Sequence, residues 1–339
     1  MAVVVFGSKR LKMTRHQKYF NKRKYDIREL PDTILIESFM GCNLRCKMCP
    51  VSDPQKNMNG RKYSSMSFET YRSIINQLSD KCRTIRLNQL GEPLLNAEIV
   101  DFVAYARSKG HRVGLTTNGT KLDVVLGEKL ILAGLNEIVF SFDGCNKETY
   151  EYIRVGAKFG EVIANIAEFS RLNKLLKGNC SIRIDCIVSD LTFPELDKIK
   201  KFWEQNMIPV NFIPLDNWAG KLQLPAEYGN RRTVVNAETG RYPCHLLWIS
   251  MAISSEGKVM YCCHDYKQQS KLPSVKEKSL KEIWNSEIKD IRSQHVMGVI
   301  EDDPCRSCDA WMTMPEFYQS SKVSLSSIKA KIRALLGKR

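Results

Sequence analysis

Three cysteines, Cys42, Cys46 and Cys49, stand in the run Gly41-Cys42-Asn43-Leu44-Arg45-Cys46-Lys47-Met48-Cys49-Pro50. Thiolates are soft ligands, and three spaced C-x3-C-x2-C can wrap one inorganic cluster. They bind three irons of a [4Fe–4S] cube. With no fourth cysteine nearby, one iron stays open to a ligand, which suits catalysis better than plain electron transfer. The plainer alternative is structural zinc, but zinc prefers four protein ligands and a local fourth is missing. Four more cysteines, Cys244, Cys262, Cys305 and Cys308, lie towards the C-terminus. Four thiolates complete a cube with no open iron, or equally suit a zinc ion. Cys263 follows Cys262 directly, and adjacent strand residues point to opposite faces, so both rarely ligate one cluster. It is either a small buried thiol or a hydrogen-atom donor to a substrate radical. Cys82, Cys145, Cys180 and Cys186 read as core or loop residues, and His111, His245 and His264 as structural.

The composition agrees with thiol chemistry. The chain has 339 residues, 12 of them cysteine, and 43% hydrophobic content. Its apolar runs are too short for a transmembrane helix, and MAVVVFGSKR is too short for a secretory signal. The expected compartment is the cytoplasm, where cysteines stay reduced and serve metals or redox chemistry rather than disulfides. The net charge of +15 first suggests nucleic acid. However, residues 1–33 hold nine basic and three acidic side chains, and residues 320–339 hold six basic and none acidic. The body between them is nearly neutral, and no nucleic-acid reader motif is present. The basic ends are expected to meet an anionic carrier, membrane surface or acidic reductase, if anything.

These cysteines need a scaffold. From residue 33 the chain alternates short apolar runs, TILIES (33–38), TIRLN (84–88), HRVGLTT (111–117), EIVFSF (137–142), SIRIDCIV (181–188) and PVNFIP (209–214), with helical stretches. Repeated strand–helix units predict an α/β fold with a parallel sheet covered by helices. Six units fall short of the eight of a closed barrel, so a partial barrel and a doubly wound sheet both fit. Either would place ligands at the C-terminal strand ends. Residues 216–240 have no clean period and read as a linker. WISMAI and VMYCC flank a turn and predict a hairpin, and Ser279 with Glu282 predicts a capped helix running to about Gln294.

The C-x3-C-x2-C loop after the first strand resembles that of the radical S-adenosylmethionine (SAM) superfamily, with Met48 where an aromatic residue is common. Gln89-Leu90-Gly91-Glu92-Pro93 after the second strand resembles the family's G-G-E-P motif, with Leu90 replacing the first glycine. Thr116-Thr117-Asn118-Gly119 and Ser141-Phe142-Asp143-Gly144 look like its T-N-G and S-x-D-G segments, and Arg154 like its SAM-carboxylate arginine. Each segment alone is an ordinary turn or strand end. In this order, at successive strand ends, they form a specific set. The resemblance covers residues 33–215 and implies a partial (β/α)6 TIM-like barrel. It also implies SAM contacts from Gly91, Glu92, Pro93, Thr117, Asn118, Ser141, Asp143 and Arg154. The later cysteines, with Gly257-Lys258-Val259-Met260-Tyr261-Cys262, resemble a SPASM/twitch extension over 241–319. It would carry one auxiliary [4Fe–4S] cluster on Cys244, Cys262, Cys305 and Cys308.

Such a chain would reductively cleave SAM to a 5′-deoxyadenosyl radical, which removes hydrogen from an unactivated C–H bond. The expected substrate is a small polar metabolite, such as a sugar or aminocyclitol. The expected outcome is oxidation, with electrons from a flavodoxin- or ferredoxin-type donor. The stretch before residue 33 is shorter than the roughly 80 residues of a separate peptide-recognition domain. A peptide-modifying maturase or epimerase and a non-catalytic metal-binding module are the alternatives. Asp185 is expected to point into the barrel towards a polar substrate.

Overall fold

The computed structural model describes residues 14–52, 61–78, 81–229 and 243–313. The first residues of the basic N-terminal segment and the tail at 320–339 lie outside them, as do residues 230–242. The strands are β1 (Thr33–Ile36), β2 (Phe39–Met40), β3 (Ser64–Ser65), β4 (Thr84–Arg86), β5 (Arg112–Thr117), β6 (Glu137–Ser141), β7 (Ser181–Val188), β8 (Val210–Pro214), β9 (Ser250–Ile253) and β10 (Val259–Met260). The main helices are α1 (Arg15–Asn21), α2 (Phe68–Asn76), α3 (Ile99–Ser108), α4 (Val124–Leu132), α5 (Lys147–Ile153), α6 (Phe159–Leu175), α7 (Leu196–Gln205), α8 (Leu246–Ile249), α9 (Leu280–Asn285) and α10 (Glu287–Met297).

Eight strands form one sheet in the order β10-β9-β1-β4-β5-β6-β7-β8. The run from β9 to β8 is parallel, and β10 returns antiparallel to β9. β8 and β10 are edge strands, so this is the partial barrel that six strand–helix units imply. The predicted hairpin forms and extends the sheet, because β9 pairs with β1 from Thr33↔Ser250 to Ile36↔Ile253.

Alternation within the strands decides what each face meets. Ile34, Ile85, Leu87, Val113, Leu115, Ile138, Phe140, Ile184 and Cys186 are buried in the main hydrophobic core with the inner faces of the helices. Tyr71 of α2 stacks on Phe102 of α3 with ring centroids 4.0 Å apart. Helix starts follow ordinary capping: Ser67 accepts from Thr70, Asp123 from Leu126 and Asn146 from Thr149. The Ser279–Glu282 capping box is present, yet the expected single helix breaks at Ser286 into α9 and α10. Ser286 leaves helical geometry at φ −114°, ψ −90°, and its hydroxyl donates to the Glu282 carbonyl at 2.6 Å. Trp248 and Ile249, expected in the strand, belong to α8 instead.

Helix α1 packs against the C-terminal region. Phe20 meets Trp248 edge-on at 5.4 Å, and the Trp248 indole donates to the Lys24 carbonyl at 2.7 Å. The aperiodic stretch after β8 packs as well, with Ala219 and Tyr228 fully buried. No helix among the described residues is long and apolar enough to cross a membrane.

Candidate functional site

The loop after β1 carries Cys42, Cys46 and Cys49, and its neighbours lock it in place. Gly91 lies at φ +76°, and a Cβ there would stand 2.3 Å from the Phe39 carbonyl oxygen and 2.5 Å from that of Gly41. Only glycine permits this approach. The next residue donates its backbone N–H to the Gly41 carbonyl at 2.7 Å. Glu92 then turns its fully buried carboxylate towards the loop after β5. Oε1 accepts from the Thr117 hydroxyl at 2.6 Å and the Leu94 N–H at 3.1 Å, and Oε2 from the Asn118 N–H at 2.7 Å. Burial pushes its pKa up, and these three donors oppose that rise. The Glu92 side chain therefore joins two loops, and what the Gly91-Glu92-Pro93 turn can offer a ligand is its backbone.

Asn118 extends the chain of contacts to the cysteines. Its amide donates to Cys42 Sγ at 3.6 Å and to Asn43 Oδ1 at 3.1 Å. On the other side, Asp143 Oδ2 and Arg154 Nη2 form an ion pair at 2.5 Å, with the carboxylate fully buried. Asp143 Oδ1 accepts from the Ile187 N–H at 2.5 Å. Burial pushes the Cys46 thiol up, and the Arg154 guanidinium beside it works against that rise. Burial likewise raises Cys42 to about 11 and Cys49 to about 12. The three thiols are thus gathered, largely withdrawn from water, with a cation and an amide donor beside them. That is a fit for a thiolate-held cluster, which replaces thiol protons with metal. Ser141 sits one strand position across from Asp185 on β7.

Cys244, Cys262, Cys305 and Cys308 converge although the sequence spreads them widely. They line one cavity with Leu247, His264, His295 and Trp311. Burial raises Cys244 far above the usual thiol range and raises Cys308 too. Among the described residues, no three Cys, His, Asp or Glu side chains close on a single-ion site. Four thiols around one cavity are a donor set that a thiolate-held iron–sulfur cluster takes, and a zinc ion could take it equally.

The sequence reads His264 as structural and gives it no partner; the fold sets it at the lining of this cavity, with its Nε2 2.5 Å from Asp216 Oδ2 just beyond β8. Burial opposes a charge on this imidazole, but Asp216 outweighs it and holds the pKa well above the usual range. Cys263 is buried with its Sγ 3.7 Å from His264 Nδ1. The only advance signal was the sequence neighbourhood of Cys262. Trp218 bridges the two cysteine sets: its indole donates to the Met48 carbonyl at 3.1 Å, and its ring meets His264 edge-on at 6.1 Å.

Comparison with known proteins agrees with this arrangement. Residues 36–190 match the radical SAM superfamily, and residues 244–309 match the iron–sulfur cluster-binding SPASM domain. The chain is 28% identical over 169 residues to the AdoMet-dependent heme synthase of Methanosarcina barkeri, covering 50% of this chain and 46% of the relative. It is 36% identical over 115 residues to the GTP 3′,8-cyclase of Syntrophomonas wolfei, covering 33% and 34%. It thus spans less than half the length of these curated relatives. Among solved structures, Streptococcus suis SuiB bound to precursor peptide SuiA superposes with a TM-score of 0.65 at 14% identity, over 92% of this chain and 79% of that one. BtrN in complex with AdoMet and 2-DOIA gives 0.51 at 19%, over 80% and 89%. These structures share the fold. The two matched segments coincide with the two cysteine sites, and the chain belongs to the radical SAM superfamily, with a SPASM-type iron–sulfur domain following the partial barrel.

Proposed function

We propose that this protein uses SAM to abstract hydrogen from a small polar metabolite and oxidises it, with an iron–sulfur donor or flavodoxin supplying the reducing electron. The observation that carries the metabolite reading is the concave face of the sheet. Arg86, Glu137, Arg183, Asp185 and Asn211 line it with linked polar groups, an environment made for a polar ligand rather than an apolar one.

When bound, the family's cofactors supply hydrogen-atom abstraction at the first cluster and an electron acceptor at the second. The first would be held by Cys42, Cys46 and Cys49, and the second by Cys244, Cys262, Cys305 and Cys308. This chain's own part is positional. Glu92 ties the Gly91-Glu92-Pro93 turn to the Thr117–Asn118 turn, and Asn118 hydrogen-bonds Cys42. Arg154, ion-paired with Asp143, stands beside Cys46, and its buried Nε, which has no hydrogen-bond partner, would be the donor to a SAM carboxylate. Ser141 ends β6, in register with Asp185 of β7. Trp218 touches both the first cysteine loop and His264 of the second cavity, tying the two sites together.

The test is 5′-deoxyadenosine release from SAM by anaerobically reconstituted protein under dithionite, screened against a panel of sugars, cyclitols and short peptides. Release stimulated by a sugar or cyclitol supports the reading. Stimulation only by peptides, with solvent deuterium entering an α-carbon, replaces it with peptide epimerisation. Colourless, zinc-loaded protein that leaves SAM intact replaces both with a metal-binding module.

A further inference from the structure

The concave face holds more than a generic polar lining. Along β7, Ile184, Cys186 and Val188 are buried in the helix-side core, which turns Arg183 and Asp185 to the opposite face. The same alternation puts Arg86 of β4, Gly114 and Thr116 of β5, Glu137 and Ser141 of β6 and Asn211 of β8 there. Register places Ser141, Asp185 and Asn211 in one row across three strands.

These groups form a closed charge balance. Arg86 Nη1 and Arg183 Nη1 take one oxygen each of Glu137, the second at 2.9 Å. Arg183 Nε donates to Asp185 Oδ1 at 2.9 Å, and Asn211 Nδ2 donates to the same oxygen at 3.2 Å. Arg86 Nη2 donates to the Thr116 hydroxyl at 3.2 Å. Gly114 clears the space for this layer, since a Cβ there would lie 2.7 Å from Arg86 Nη1. Two guanidiniums face two carboxylates.

Two polar atoms are left over. Asp185 is 7% exposed, and its hydrogen bonds all fall on Oδ1, leaving Oδ2 free. Arg86 is 1% exposed, and its Nε is a buried donor with no acceptor. Arg86 Nε is the buried orphan, which is costly to leave unpaired, whereas Asp185 Oδ2 keeps accessible surface and is an acceptor open to a ligand group.

We propose that this layer is a receptor for a neutral diol, with Asp185 Oδ2 accepting a hydroxyl. The layer is already neutral, so an ammonium or carboxylate ligand would bring an uncompensated charge into a buried site, whereas a hydroxyl brings none. The inference rests on the small-polar-substrate reading above and narrows it to hydroxyl-bearing neutral rings. The same chemistry has two sources, a substrate ring and the ribose of SAM.

The experiment uses the reconstituted holoprotein, wild type and with Asp185→Asn or Asp185→Ala, under anaerobic conditions. Saturation-transfer NMR measures myo-inositol against glucosamine and gluconate, and calorimetry measures SAM. Myo-inositol binding at least fivefold above both charged probes, weakened in D185N and lost in D185A with SAM affinity within twofold, supports a substrate ring. A tenfold or larger loss of SAM affinity in both variants assigns the ribose as the diol. Unchanged binding of both ligands in both variants overturns the proposal, as does equal binding of the charged probes. D185N keeps an oxygen for Arg183 and guards against a misfolded D185A. Iron held at the second cysteine set shows that each variant is folded. Wild-type protein that binds the diol but releases no deoxyadenosine defeats the proposed function and leaves the receptor standing.

Discussion

The indole N–H of Trp218 donates to the Met48 carbonyl at 3.1 Å, so a residue beyond the last barrel strand holds the loop that follows the first. Trp218→Phe keeps the ring that meets His264 and Tyr266 but removes this hydrogen bond, at a cost of about 1 kcal/mol. The expected result is faster iron loss from the first cysteine set, with the second unaffected. Equal loss rates for wild type and variant would show that the contact does not steady the loop.

Gly91 and Glu92 act as a unit. Gly91→Ala forces a Cβ into two carbonyl oxygens and should prevent the two loops from docking. Glu92→Gln is milder: its amide turns a donor towards the Asn118 N–H or the Thr117 hydroxyl, costing about 1–3 kcal/mol. Iron content after reconstitution should fall further in G91A than in E92Q.

Arg154→Ala should destabilise the barrel as well as the site. It leaves the Asp143 carboxylate buried without its ion-pair partner, with only the Ile187 N–H and the Cys186 thiol beside it, which typically costs about 3–5 kcal/mol. Melting measured alongside the double variant Arg154→Ala/Asp143→Asn isolates this effect, because removing the orphaned charge should restore much of the loss.

Metal counts separate the two sites. Reconstituted protein should bind about eight irons, and either Cys49→Ala or Cys262→Ala about four. SAM cleavage should vanish in C49A, whereas C262A should keep the iron of the first site.

Asp32 anchors helix α1. Its carboxylate meets His16 Nδ1 at 3.2 Å and Lys81 Nζ at 2.7 Å. Burial would raise its pKa, but these two partners hold it well below the usual carboxylate range. A depressed carboxylate stabilises the fold above the unfolded value of about 3.9, and that stability is lost as pH falls towards the folded value. Hydrogen exchange at α1 in the cluster-free chain, corrected for intrinsic rates, should rise from pH 7 to pH 3.5. Asp32→Asn should exchange fast at both.

Strands β5, β6 and β7 were legible because apolar residues recur along short runs bounded by turns that carry glycine, as at Gly110 and Gly134. Helix α5 was not, since its seven residues make too little of a period to stand out. The first cysteine loop was legible as local spacing. The second site was not legible from spacing alone, because its cysteines come from three separate stretches of chain that meet only in the fold. Glu92 was legible as a site residue, but the direction of its carboxylate depends on a donor pair 25 and 26 residues further on. The charge balance around Glu137 was hidden for the same reason, being assembled from residues on four strands.

The parallel pairing of β1 with β9 also sets an order on biosynthesis. The strand that leads into the first cysteine loop gains its second neighbour only when a segment some two hundred residues later is made. At about 5–20 residues per second, that edge waits on the ribosome for roughly 10–40 s. Until then an unpaired apolar edge and three bare thiols are exposed together, so oxygen or crowding during synthesis threatens this chain more than the finished protein. Slow expression at low temperature without oxygen should therefore raise soluble yield more than any later refolding step.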